Sequence, residues 1–128
     1  MRKVKGTWEF SDSDTFDLDH VLSPVILAGL RKFRNLLAER HAKNEVIAIP
    51  VAVVDHLGDV GDADVNRWLE ILDLVIYAFD ESNEPDILAY DLDAESPYAE
   101  YRAASNAYHQ KRMRGLKLFA EYFNDLWW

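Results

Sequence analysis

Apolar residues recur at steps of three and four positions in three stretches of the chain, and this spacing predicts amphipathic helices. The first stretch covers residues 18–40, with apolar positions Val21, Leu22, Val25, Ile26, Leu30, Phe33, Leu36 and Leu37. The second covers residues 64–80, with Val65, Trp68, Leu69, Leu72, Val75, Ile76 and Phe79. The third covers residues 97–127 and ends on Leu116, Phe119, Tyr122, Phe123 and Leu126. Three long helices with apolar stripes predict an all-α fold, a compact bundle of three or four helices.

The remaining segments lack a helical period. Residues 1–17 are rich in helix-capping side chains and are predicted to form an ordered N-terminal arm. Residues 46–54 are β-branched and apolar, which favours a strand, but Pro50 lies among them and cannot donate to a central ladder. Residues 46–63 are therefore predicted to form an irregular segment.

Capping residues, prolines and glycines refine the three helices. Asp62 or Asp64 is expected to cap the second helix. Pro24 either belongs to the first turn of the first helix or kinks a longer one. Gly29 allows another helix to approach closely, whereas Gly115 costs about 1 kcal/mol relative to Ala in a helix interior. The third stretch is therefore either one long helix or two helices joined at that glycine.

The composition is that of a globular protein. The 128 residues, 49% of them hydrophobic, suit a single helical domain over residues 1–128. The absence of cysteine excludes disulfides, thiolate nucleophiles and cysteine-ligated zinc. No window approaches the roughly 18 apolar residues of a membrane span, and the N-terminus lacks an apolar signal-peptide core. We expect a cytosolic protein, and its formal net charge of −9 argues against direct contact with nucleic acid.

Acidic residues are concentrated in the middle of the chain. Fifteen of the 23 lie between Glu45 and Glu100, where Arg67 is the one basic residue, so this part carries a net charge near −14. The flanks carry the other thirteen Lys and Arg against eight acidic residues. Compensation can come from the basic flanks, from a metal ion or from another molecule. The last helix offers an internal source that faces the acidic part if the last two helices pack antiparallel: Lys111, Arg112, Arg114 and Lys117.

Residues 80–95, the acidic connection, join the second and third helices. Asp80 and Glu81 follow a helix C-terminus, where the helix dipole disfavours anions by a few tenths to about 1 kcal/mol each. A charged functional surface is expected in this connection. The candidate partner-binding residues are Asp80, Glu81, Glu84, Asp86, Asp91 and Asp93, together with the C-terminal Trp128.

Glu70 and Asp73 are three positions apart and share one face of the second helix. Such an E-x-x-D pair is half of the signature of all-α, metal-dependent nucleotide pyrophosphohydrolases. A second E-x-x-E on a neighbouring helix is missing. The alternative hypothesis is an Mg²⁺- or Mn²⁺-dependent nucleotide phosphohydrolase or nuclease that uses Glu70, Asp73 and Asp80 as metal ligands. The simpler interpretation is a solvated helix face, and no catalytic residue is predicted.

Tryptophan side chains are expected to be buried in a hydrophobic core unless another role is indicated. Trp8, Trp68 and Trp127 are expected to fill the core. Trp128 cannot point inward together with its neighbour. It is expected at an edge, where it either contacts a partner or folds back over the core.

Three segments carry a family resemblance: WEFSDSDTFDLD at 8–19, WLEILDLVIYAFD at 68–80 and GLKLFAEYFNDLW at 115–127. Together they cover about a third of the chain. At similar order and spacing they resemble a set of small uncharacterised proteins encoded by tailed bacteriophages, in which Met often stands at the place of Val75 and Trp at that of Phe16. The resemblance implies a viral origin and expression in the cytoplasm of a bacterial host. It implies no activity.

These observations lead to one main hypothesis. We expect a phage accessory protein without enzymatic activity, an acidic protein-binding module that acts on a host or phage protein. A basic partner would match its charge. No membrane and no cofactor are expected, and a homodimer is one of the alternatives left open.

Overall fold

The computed structural model describes residues 1–90 and 97–127 and confirms the predicted all-α class. The described chain contains two short strands and four α-helices, which are β1 (Arg2–Val4), β2 (Thr7–Glu9), α1 (Asp12–Phe16), α2 (Leu18–Ala42), α3 (Asp62–Phe79) and α4 (Pro97–Tyr122). Single 3₁₀ turns follow at Glu81–Asn83, Ile87–Ala89 and Phe123–Asp125. The candidate residues Asp91, Asp93 and Trp128 lie outside the described residues.

α3 is the central helix, and it packs against both α2 and α4. The ring of Trp68 near its start contacts that of Tyr122 near the end of α4, at 5.4 Å between centroids. Tyr77 near the end of α3 contacts Tyr108, earlier in α4, at 6.0 Å. Because the order of contacts is reversed, α3 and α4 are antiparallel.

Two apolar clusters form the core, one after the other along α3. The first is built on the buried residues Leu37, Val53, Trp68, Leu72 and Tyr122. The second is built on Leu30, Val75, Ala78 and Phe79. Both contain residues of the predicted 64–80 stripe, so the helical period identified the buried face of α3 correctly. α2 runs through Pro24, which lies beyond its first turn.

The glycine that permits close helix packing is Gly115 in α4. A Cβ added there would overlap the Leu74 carbonyl oxygen of α3 and would lie 2.7 Å from the Ala78 Cβ. α4 therefore continues through Gly115 as one helix, because the missing side chain lets the two backbones touch. The expectation for Gly29 was wrong, since a Cβ there would meet nothing within 4 Å.

The irregular segment is present as predicted, but it ends at Gly61. α3 begins at Asp62 because the Asp64 carboxylate, inside the first turn, accepts a hydrogen bond of 2.9 Å from the Gly61 N–H. Gly61 is thus the N-cap, and the prediction of Asp62 or Asp64 at that position was wrong. Val53 anchors the segment in the core at 2% exposure.

The burial of the tryptophans differs from the expectation. Trp68 is fully buried, but Trp8 is 55% exposed and Trp127 is 61% exposed, so these two were wrongly placed in the core. Trp8 lies on β2, which pairs with β1 in an antiparallel hairpin that has no buried residue. The arm therefore adds a hairpin and α1 outside the core. No helix among the described residues is long and apolar enough to span a membrane.

Alanine substitutions at the two glycines test the helix contact. We expect Gly115→Ala to lower the free energy of unfolding by about 1–3 kcal/mol, because the added methyl group must push two backbones apart. Gly29→Ala is the matched control and should raise it by about 0.5–1 kcal/mol through helix propensity alone. Urea denaturation measures both, and equal effects of the two substitutions would contradict the packing described for α3 and α4.

Candidate functional site

A cleft of about 190 Å³ lies at the C-terminal end of α3. Its walls come from the start of α2, the acidic connection and the middle of α4, and they include Asp19, His20, Glu81, Glu84, Tyr108 and Arg112. We call it the α3-end cleft. It contains the place where the sequence predicted a charged surface, and the structure describes residues 80–90 of that connection.

His20 of α2 closes one side of the cleft. Its Nδ1 donates to the Glu81 Oε1 at 2.6 Å, and its Nε2 lies 3.9 Å from the Asp19 Oδ2. The hydrogen bond to Glu81, followed by the charge of Asp19, raises the pKa of His20. A protonated His20 therefore neutralises Glu81 and fixes the start of α2 to the start of the connection.

Arginines of α2 neutralise two further carboxylates. Arg31 donates to the Asp80 Oδ2 at 2.7 Å, and Arg34 makes two bonds to Asp73, at 2.9 and 3.3 Å. Hydrogen bonds from the Ser82 side chain and backbone, with the nearby Arg31, lower the pKa of Asp80. Sequence reasoning missed both arginines. Their spacing of three residues, next to the apolar stripe of the same helix, was the available signal.

The basic cluster of α4 acts on α3 itself. Arg112 Nε donates to the Ala78 carbonyl oxygen at 3.3 Å, near the negative end of the helix dipole. Lys111 Nζ lies 4.1 Å from the centroid of the Tyr77 ring. Arg114 and Lys117 are exposed. Within the described ranges 1–90 and 97–127, none of the four forms an ion pair with the acidic connection, so the predicted internal pairing is not observed there.

Glu84 and Asp86 form no ion pair among the described residues, and both are exposed. Asp86 accepts a hydrogen bond of 2.9 Å from the Leu88 N–H and so caps a 3₁₀ turn. That turn presents Leu88 at 81% exposure, with Ile87 beside it. The connection thus combines carboxylates that form no ion pair in the described chain with exposed aliphatic side chains.

The three carboxylates of the metal hypothesis are not brought together. Asp73 and Asp80 pair with different arginines, and Glu70 is exposed. In that part of the chain, the one group of His and carboxylate atoms close enough to share an ion is Asp17, Asp19 and His20, all exposed. The metal-dependent alternative stays a prediction that this geometry does not favour.

A second polar cluster joins the irregular segment to the start of α3. Asp64 is 1% exposed and accepts a bond of 2.7 Å from the His56 Nε2, in addition to that from Gly61. The bond from Gly61, then that from His56, lowers the pKa of Asp64. Arg67 lies 3.6 Å from the other Asp64 oxygen and donates to the Val53 carbonyl at 2.6 Å.

The surroundings of His56 favour the protonated form of its ring. Its Nδ1 lies 3.2 Å from the Leu57 carbonyl oxygen and its Nε2 faces the Asp64 carboxylate, so both ring nitrogens have acceptors as partners. The bond to Asp64, then the bond to Leu57, raises the pKa of His56. This pair could not be predicted from the sequence, because a histidine in a loop and an acid in a helix approach each other only after folding.

The α3-end cleft suits one side chain better than a cofactor. Sites for drug-sized molecules enclose about 300–1,000 Å³, more than the 190 Å³ available here. Three carboxylates, Asp19, Glu81 and Glu84, stand in its walls. A lysine or arginine side chain has the charge and the narrow shape that such a cleft can accept.

Comparisons of the chain with protein-family models, with curated proteins and with solved structures found no match.

Charge reversal on α4 tests the role of Arg112. We expect Arg112→Glu to lower the free energy of unfolding by about 1–2 kcal/mol, because it removes a bond to the end of α3 and places an anion there. Arg114→Glu makes the same change of charge at an exposed position and should leave stability within about 0.5 kcal/mol of the wild type. Chemical denaturation of both variants measures the difference, and equal stabilities would contradict the assigned contact.

The two histidine pairs predict a pH dependence. Because folding raises the pKa of His20 and His56 above the ordinary 6.5, their contribution is complete below pH 6.5 and is lost as the pH rises through the folded-state values. The free energy of unfolding should therefore fall as the pH rises above about 6.5. His20→Gln and His56→Gln should each reduce this decline, and the double variant should reduce it further. An unchanged decline in the double variant would refute the assignment.

Proposed function

We propose that this chain is a protein-binding module without enzymatic activity, and that its acidic connection binds a basic segment of another polypeptide. The single observation that carries the proposal is the distribution of ion pairs at the end of α3. Asp73, Asp80 and Glu81 each have a cationic partner on α2, whereas Glu84 and Asp86 have none in the described chain.

The unpaired charge is placed where a partner can reach it. Glu84 is both exposed and part of the wall of the α3-end cleft. Asp86 is held at the surface by its bond to the Leu88 N–H. A basic side chain that enters the cleft would meet carboxylates already oriented by the fold, so little reorganisation is needed on binding.

Exposed aliphatic side chains give this surface an apolar component. Leu88 is 81% exposed, directly beside Asp86. Charges at the rim of an interface mainly raise the association rate, whereas buried apolar contacts supply affinity. The proposed partner therefore presents lysine or arginine next to an apolar or aromatic residue.

The bacteriophage context belongs to the proposal as well. The resemblance of residues 8–19, 68–80 and 115–127 to small proteins of tailed phages supports a partner of host or phage origin. It also supports action in the cytoplasm of the host.

Affinity capture from a bacterial lysate tests the function with a matched pair of variants. The bait is the full chain, compared with Glu84→Lys/Asp86→Lys. The control is Asp59→Lys/Glu70→Lys, which changes two exposed acids elsewhere and makes the same shift of charge. We expect the wild type and the control to retain the same protein at about 50 mM salt and to release it as salt rises. The connection variant should retain at least about tenfold less, a loss on the order of 1.4 kcal/mol.

Equal retention by all three baits would show that the contact is made elsewhere and would remove the connection from the proposal. Loss with both variants would mean that net charge alone drives capture. A lysate from which no bait retains a protein above background counts against a host partner.

A further inference from the structure

The N-terminal hairpin lacks a surface to pack on. No residue of β1 or β2 is buried, and an isolated two-stranded hairpin is only marginally stable in water. It is fastened at its base, where the ammonium group of Met1 donates to the Asp14 carboxylate of α1 at 2.7 Å. Its indole, Trp8, stays 55% exposed. The hairpin is thus held at one end, and much of the Trp8 side chain is accessible to another surface.

The free end of the hairpin is basic. Lys5 and Gly6 form its two-residue turn with φ of 50° and 83°, the left-handed conformation that tight hairpin turns require. Lys5 therefore stands at the tip. Lys3, on β1, lies over the Trp8 ring at 6.0 Å. Neither lysine forms an ion pair with an acid of the described chain, whereas Arg2 pairs with Glu9 of the facing strand at 3.4 Å.

The surface of the hairpin is complementary in charge to the acidic connection. The hairpin offers unpaired cations beside an exposed aromatic ring. The connection offers the unpaired Glu84 and Asp86 beside the exposed Leu88, and a cleft that fits one basic side chain. Both surfaces belong to the same chain, and each lacks what the other has.

We propose that the acidic connection binds the N-terminal hairpin of a second copy of this chain. The proposal rests on the proposed function and names its partner. The His20–Glu81 bond of 2.6 Å joins the first turns of α2, directly after the arm, to the start of the connection. The arm therefore joins the helices beside the start of the connection. A two-fold axis at that place lets each hairpin reach the connection of the other copy, so that two identical contacts close a dimer.

Charge-swapped variants test this better than a salt series does. Each copy carries a formal net charge of −9, so long-range repulsion opposes association while the local contact favours it. Salt screens both over about 10 Å at 0.1 M. Reversing the charges of one surface at a time separates the effect of the local contact from the effect of the net charge.

The arm variant is Lys3→Glu/Lys5→Glu, and the connection variant is Glu84→Lys/Asp86→Lys. In sedimentation at rising concentration of the purified full chain, we expect the wild type to approach twice its 14.8 kDa mass. Each variant alone should stay monomeric, because its hairpin and its connection then have the same sign. An equimolar mixture of the two should recover the dimer, since both contacts are then complementary. All four positions are exposed, and circular dichroism verifies that each variant is folded.

The control is Lys32→Glu/Lys117→Glu, which makes the same change of charge as the arm variant at two exposed helical positions. It should dimerise like the wild type. A wild type that stays monomeric at every concentration, a control that loses the dimer, or a mixture that fails to recover it each overturns the proposal. A monomer that still captures a lysate protein through Glu84 and Asp86 overturns self-association alone and leaves the proposed function standing. If the chain neither dimerises nor captures a lysate protein, both self-association and the proposed function are overturned.

Discussion

The structure depends on covering the apolar stripe of α3 along its whole length. Trp68 and Leu72 enter one cluster and Val75 and Phe79 the next, and both clusters include residues of α2 and α4. Gly115 lets α4 come close enough for backbone contact with Leu74. A helix buried in this way has few positions left for polar groups, so its charged residues must lie along the edges or beyond its ends.

The distribution of charge follows from that packing. Acids at the edge of α3, such as Asp73, come within reach of arginines on α2, and they are neutralised there. Acids just beyond its C-terminus face the negative end of the helix dipole. Asp80 and Glu81 pair with Arg31 and His20, whereas Glu84 forms no ion pair in the described chain. The unpaired charge of the connection thus lies further along the chain than the two carboxylates that pair with α2.

Sequence periodicity predicted the helices and the buried face of α3, because burial of one stripe repeats every three or four residues. It failed for Trp8 and Trp127, since aromatic character alone does not say whether a surface exists to cover a ring. It also failed for Gly29, and it left open whether the chain continues through Gly115 as one helix. Both are glycines in helices, and only the position of the neighbouring helix decides which one is in contact.

The acidic connection is visible in the sequence, but the contacts of its carboxylates are not. A run of carboxylates after a helix end identified the connection, because a helix dipole and like charges are local properties of the chain. The partners of those carboxylates are not local. Arg31 and His20 lie on α2, and their pairing depends on how α2 and α3 align along their lengths. The same holds for the pair of His56 and Asp64.

Stability and binding are separable at this end of the molecule. Asp80 has a structural role, since it accepts bonds from Arg31 and from Ser82 and ends α3. Glu84 makes no such bond within the described chain, and exposed unpaired carboxylates contribute little to folding in water. Its charge can therefore change at little cost to folding, whereas a change at Asp80 removes bonds from Arg31 and Ser82. The exposed Glu84 can thus serve recognition without a conflict with the demands of folding.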